Sequence, residues 1–176
     1  ICVAAAGVNA PDLAQRAGLY PPPEGASPRL GLEVSGEIAV AAGDWKRGDR
    51  VVALCNGGGY AEYVAVPAGQ VLPAPANWSL EDAAALPETW FTITQTLVMR
   101  AGLEPGMSVL VTGAAGGIGG AAIQICRILG ADPIAVVSSA EKAEYALRLG
   151  ARAVIRHDTE DVAVRARELT GGRGVD

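Results

Sequence analysis

The segment Gly113-Ala-Ala-Gly-Gly-Ile-Gly119 carries no charge and sits between an apolar, β-branched run, Ser108-Val-Leu-Val-Thr112, and a stretch rich in Ala and Ile. Strand, glycine turn, helix is the order that places backbone amides of Gly113, Ala115, Gly116, Gly117, Ile118 and Gly119 against a pyrophosphate at the positive end of the helix. Glycine permits the tight turn there, and a side chain at Gly116 or Gly117 is expected to fill the space the phosphates need. The chemistry so predicted is dinucleotide binding; the competing account is a glycine turn with a purely structural role. The end of the following strand decides which dinucleotide, because an Asp or Glu at that point accepts from the ribose 2′-hydroxyl and selects NAD. No acid ends the run 134–137, and Ser138-Ser139-Ala-Glu-Lys142 follows it. Two hydroxyls and an ammonium suit a 2′-phosphate, so the sequence predicts NADPH. Glu141 opposes this if it faces the same pocket. Ser139 as a helix cap and Lys142 as a solvated surface charge are the alternative roles.

Those residues need a scaffold, and the later half of the chain supplies the pattern for one. Strands are expected at 109–111, 134–137 and 153–155, alternating with helices at 118–129, 140–149 and 159–169, which is the mark of βαβ units and a parallel sheet. The first half has a different rhythm. Short apolar runs at 34–40, 51–55 and 60–66 are separated by turn clusters such as Pro21-Pro-Pro-Glu-Gly25 and Gly57-Gly-Gly59, so residues 1–88 read as irregular β structure. Ser79 with Asp82 three residues on signals a helix start, and a second helical stretch over 90–101 leads out of the first domain. The expected division is a domain at 1–88 and a nucleotide-binding domain at 89–176.

Half of the residues are apolar, enough for a buried core, and the formal net charge is −5. An acidic chain lacks the basic stripe that neutralises phosphates along a nucleic acid, so nucleic acid is not expected as a partner. No apolar run approaches the roughly 20 residues a membrane-spanning helix needs, and no basic-then-apolar leader opens the chain. A cytoplasmic protein is expected. Three widely spaced cysteines, Cys2, Cys55 and Cys126, suit free thiols better than a disulfide framework. The opening Ile1-Cys2-Val3 and the stop at Asp176, where a strand should begin, read as truncations of a longer protein, since a doubly wound nucleotide domain has about six strands.

Two families share such a glycine loop. The short-chain dehydrogenases require a Tyr-x-x-x-Lys pair, and none of Tyr20, Tyr60, Tyr63 and Tyr145 has a lysine four positions on. The chain instead resembles the medium-chain dehydrogenase/reductase superfamily, in its quinone oxidoreductase branch. The residues that carry the resemblance are Ala6-Gly-Val-Asn-Ala-Pro-Asp12, Gly18-Leu-Tyr-Pro-Pro-Pro23, Gly31-Leu-Glu-Val-Ser-Gly36, Gly48-Asp-Arg-Val51 and Gly58-Gly-Tyr-Ala-Glu-Tyr-Val64. It continues through Ala83-Ala-Ala-Leu-Pro-Glu88, the glycine loop, Leu149-Gly-Ala151 and Thr170-Gly-Gly172. It implies a GroES-like β domain followed by a Rossmann-type doubly wound domain, both truncated, with NADPH bound in the crevice between them.

The zinc-dependent members of that superfamily hold a metal with a Gly-His-Glu histidine, for which this chain has Gly31-Leu32-Glu33. A catalytic zinc needs about three protein ligands, so no metal is expected. Reduction must then rest on orientation and on hydrogen-bond donors to the acceptor oxygen. The resemblance places Asn9 and Tyr20 in that role near the nicotinamide, with Asp12 shaping the wall; Tyr20 packed on Pro21–Pro23 is the alternative. It also places Thr92 beside the cofactor and sets His157 where relatives carry a tyrosine at the 2′-phosphate end. An ordinary helix hydroxyl and an ordinary loop histidine compete with those roles. The expected activity is NADPH-dependent reduction of quinones, by a homodimer when full length. The rivals are reduction of a conjugated enone, and a non-catalytic, crystallin-like NADPH-binding protein.

Overall fold

The computed structural model describes residues 1–176 as two compact units, Ile1–Glu88 and Thr89–Asp176. The first unit is built on an antiparallel sheet of β1 (Cys2–Ala6), β2 (Glu33–Glu37), β3 (Arg50–Leu54) and β4 (Val71–Pro73), in that order. Val34 pairs with Ala53, and Ala53 with Val71. Val51, Ala53 and Cys55, alternating along one chain segment, join Val34, Ile38 and Val71 in the core, as strand period two dictates. Gly36 is required where β1 and β2 come closest, because a Cβ there would collide with the Cys2 carbonyl oxygen.

Two features of this unit differ from the sequence expectation. The 60–66 run forms no strand: it lies beside β1 through an isolated bridge at Tyr63, with Val3 N donating to Glu62 O at 2.9 Å and Val64 N to Ile1 O at 3.1 Å. Gly57 and Gly58, both at positive φ, and Pro67 confine the run on either side. A helix, α1 (Ala10–Arg16), also stands where irregular β structure was expected. Pro11 suits its first turn, and the Asp12 carboxylate reaches back to accept from the Asn9 amide at 2.9 Å, which satisfies a donor at the helix start. The start at Ser79 is present as expected: its hydroxyl accepts from Asp82 N at 3.0 Å and opens α2 (Leu80–Ala83).

The second unit is a parallel sheet, β5 (Ser108–Thr112), β6 (Asp132–Val137) and β7 (Ala153–Arg156), in sequence order. Between and after these strands run α3 (Gly117–Ile128), α4 (Ala140–Leu149) and α5 (Val162–Leu169). β6 is buried on both faces, as the central strand of a covered parallel sheet should be. Its Ala135 and Val137 pack with Val111, Ile123, Ile125 and Ala146 on one side, while Ile134 and Val136 pack with Ile155 and Ala166 on the other. Helices therefore cover both faces, the doubly wound arrangement. The stretch expected as a helix over 90–101 is wound more loosely, with π-helical turns at Pro87–Phe91 and Thr94–Arg100 and a bond from Ala101 N to Thr96 O of 3.0 Å. No helix is long and apolar enough to cross a membrane.

Candidate functional site

In the second unit the turn after β5 is made by Gly113 at φ +60°, and Gly116 N–H closes it on Gly113 O at 2.9 Å. Gly120 is the first residue of α3 to donate back, to Gly116 O at 2.8 Å, so the amides of Gly117, Ile118 and Gly119 have no partner within the helix. These are the groups that bind anions at helix N-termini. The glycine that permits the closest approach is Gly119. A Cβ there would lie 2.6 Å from Ala114 Cα, against backbone that cannot give way, whereas at Gly116 the nearest atom is 3.3 Å away and at Gly117 it is 3.2 Å.

Beside that turn is a cavity of about 290 Å³, lined by Gly113, Ala114, Ala115, Gly116, Val136, Val137, Ser138, Lys142 and His157. Lys142 Nζ donates to Ser138 Oγ at 2.8 Å, and His157 N–H is tied to Val137 O at 3.1 Å, so an ammonium and an imidazole flank the ends of β6 and β7. Of the hydroxyls expected here, Ser138 lines the cavity; Ser139 instead caps α4, accepting from Lys142 N at 3.3 Å. Ile118 faces a different hollow, with Ile93, Leu97 and Val111. Thr92 is half-buried, and its carbonyl accepts from Thr96 Oγ1 at 2.7 Å.

In the first unit a cleft of about 400 Å³ holds Tyr20 and Glu88, together with Pro11, Gln15, Leu32 and Cys55. Asn9 does not line it. Its Nδ2 donates to Glu33 Oε1 at 2.7 Å, and the Glu88 amide donates to Glu33 Oε2 at 2.8 Å. Asp12 anchors the same network: one oxygen accepts from Gly31 N at 3.0 Å and the other from the Asn9 amide at 2.9 Å and Tyr60 Oη at 3.0 Å. Glu33 and Asp12 are each 2 % exposed. Burial pushes Glu33 up from the ordinary carboxylate range; the bonds from Glu88 and Asn9 pull it back, and the nearby Asp12 charge adds to the rise. Tyr60 is pushed up to about 12 by loss of solvent and by its bond to Asp12. Glu33, Glu88 and Tyr60 were not singled out from sequence, because their partners lie 24 to 55 residues away and no spacing rule joins them.

The Glu33 shift has a consequence for stability. A carboxyl whose folded-state pKa is raised stabilises the fold fully below its unfolded pKa and loses that contribution as pH rises through the folded value. Glu33→Gln is therefore expected to flatten the fall in urea midpoint between acid and mildly alkaline pH; an unchanged slope would place the pH sensitivity elsewhere.

The first 76 residues match the alcohol dehydrogenase GroES-like domain family, and residues 117–176 match a family described as zinc-binding dehydrogenase. With an antiparallel unit ahead of a doubly wound one and both matches in this order, the chain belongs to the medium-chain dehydrogenase/reductase superfamily. It is 37% identical over 179 residues to the synaptic vesicle membrane protein VAT-1 homolog of Mus musculus, covering 99% of this chain and 43% of that one. Among solved structures, it is similar to the quinone oxidoreductase of Escherichia coli complexed with NADPH, with TM-score 0.85 and 36% identity over 99% of this chain and 54% of that one. The CurK enoyl reductase superposes with TM-score 0.90 and 32% identity over 100% of this chain and 56% of that one. The chain thus spans about half the length of the relatives it matches.

A zinc does not fit the donors present. Leu32 stands in the cleft beside Cys55, whose thiol burial pushes up to about 11; Cys2 is exposed, and Cys126 and His157 belong to the other unit. No group of three His, Cys, Asp or Glu side chains is placed to hold a metal ion.

Proposed function

We propose that the chain carries the cofactor loop and the acceptor cleft of an NADPH-dependent oxidoreductase that reduces quinones without a metal, with residues 1–88 and 89–176 as its GroES-like and nucleotide-binding domains. The observation that carries this reading is the cavity beside the glycine loop in which Lys142, Ser138 and His157 meet. The free amides of Gly117, Ile118 and Gly119 suit the pyrophosphate, and the Lys142 ammonium with the Ser138 hydroxyl suits a 2′-phosphate. No carboxylate lines that cavity to receive a ribose 2′-hydroxyl. Likeness to an NADPH-bound quinone oxidoreductase supports the same cofactor. Bound nicotinamide supplies a hydride. The chain's own part is to orient the acceptor and to stabilise charge developing on its oxygen, and Tyr20, half-exposed and lining the cleft, is the hydroxyl assigned as donor on this reading. Asn9, engaged with Glu33, acts by holding the cleft wall. Likeness to an enoyl reductase favours a second reading, in which the acceptor is a conjugated enone.

The test is steady-state oxidation of NADPH and NADH by the full-length protein with an ortho-quinone, a para-quinone and an enone. NADPH with a quinone is expected to give the highest kcat/KM, and Lys142→Ala to cost about 10-fold or more with NADPH, the loss of one charge-assisted bond of roughly 1.5–3 kcal/mol, while leaving NADH unchanged. Preference for the enone would assign the second reading. NADPH binding with no turnover of any acceptor would leave a non-catalytic binding protein.

A further inference from the structure

Of the charged and polar side chains on the wall of the first unit's cleft, none is a Lys, Arg or His; the ionisable groups are Glu24, Glu88, Tyr20 and Cys55. An acceptor reduced there by a hydride gains negative charge on oxygen with no cation lining the cleft to neutralise it. Glu88 stands out among the four. It is half-buried, its backbone is fixed through its amide to Glu33 Oε2, and no hydrogen bond ties down its carboxyl. The titratable groups facing it are Glu33 and, behind that, Asp12, both acids.

Resting on the quinone reductase reading, we propose that Glu88 is a general acid of the acceptor cleft. The Glu88 O–H bond breaks as a new O–H bond forms on the acceptor oxygen that has received the hydride's electron pair. The electrons of the broken bond stay on the carboxylate, and water entering the open cleft returns the proton. One hydride from NADPH takes the quinone to the level of its hydroquinone monoanion, and the one proton from Glu88 completes the neutral hydroquinone. The environment shifts Glu88 toward the neutral acid, since burial pushes its carboxyl up and the charges of Glu33 and Asp12 push it the same way. Tyr20 then orients the acceptor, and Glu88 supplies the proton.

The experiment uses the full-length protein with NADPH and the best quinone, comparing wild type, Glu88→Gln and Glu88→Asp. Glu88→Gln is expected to lower kcat by about 100-fold or more, the scale of general acid catalysis, with NADPH affinity unchanged. Wild-type kcat should fall as pH rises through the raised Glu88 value; this limb should vanish in Glu88→Gln and persist at reduced rate in Glu88→Asp. Infrared titration without cofactor gives a second readout: a protonated-carboxyl C=O band that outlasts ordinary glutamates as pH rises, diminished by Glu88→Gln. Wild-type rate and an unaltered alkaline limb in Glu88→Gln would overturn the assignment while leaving quinone reduction intact. If Glu88→Gln fails to fold, the Glu88→Asp profile and the infrared titration decide: a lost limb with Asp, or no such band in wild type, overturns it. A wild-type protein that binds NADPH but reduces no acceptor overturns the reductase reading and this assignment with it.

Discussion

Replacing Gly119 with valine is expected to abolish useful NADPH binding. The new Cβ would sit 2.6 Å from Ala114 Cα and press on the Gly113 carbonyl oxygen, both backbone atoms of the turn that presents the loop. No rotamer relieves such a contact, so α3 must move away from the turn and its N-terminal amides move with it. Two charge-assisted bonds lost at roughly 1.5–3 kcal/mol each amount to a rise in Kd of at least about 100-fold. Quenching of tryptophan fluorescence by NADPH, or calorimetry, measures it directly. Wild-type affinity in Gly119→Val would mean that the phosphates do not sit on this loop. The same variant should leave the first unit's acid network untouched, which the urea midpoint of that unit can verify.

Asp12→Ala is expected to destabilise the first unit by about 2–4 kcal/mol, since the deletion leaves the Gly31 and Asn9 amides without their acceptor beside a side chain 2 % exposed, each buried unpaired donor costing roughly 1–3 kcal/mol, while the Tyr60 hydroxyl keeps the Gly7 carbonyl oxygen at 3.3 Å. The loss is partly offset because Glu33 no longer faces a like charge. Asp12→Asn keeps the shape but turns an NH₂ toward one set of donors, so it should recover only part of the difference. Denaturation followed by circular dichroism tests both, and a change under about 0.5 kcal/mol, the scale of an ordinary surface substitution, would show that water replaces the carboxylate.

The doubly wound half was legible because its rules are local. The helix expected at 140–149 runs Ala140–Leu149, with Ser139 before it and Gly150 closing it at φ +104°. The expected strand at 109–111 sits inside Ser108–Thr112. Each is set by period, cap and turn within a dozen residues. The first half resisted the same treatment. α1 is only seven residues long, with a proline in its first turn, and it is fastened by an aspartate whose other contacts come from Gly31 and Tyr60. Such a helix is stabilised by long-range partners rather than by its own sequence. The site divides along the same line. The glycine loop and Lys142 could be found by spacing, whereas the meeting of Glu33, Asp12 and Glu88 depends on chain segments that only the fold brings together.

The bond from Lys142 Nζ to Ser138 Oγ joins the first turn of α4 to the residue just past β6 and bears on how tightly the proposed 2′-phosphate would be held. A free lysine side chain surrenders up to about 2 kcal/mol of rotational entropy when it is immobilised. Lys142 has part of that freedom removed before any ligand arrives, because the hydroxyl at the end of β6 already restrains its ammonium over the cavity. The local fold thus lowers the cost of ordering that cation, so on the proposed NADPH reading selectivity for the extra phosphate would rest on the rigidity of this small side-chain clasp as much as on its charge.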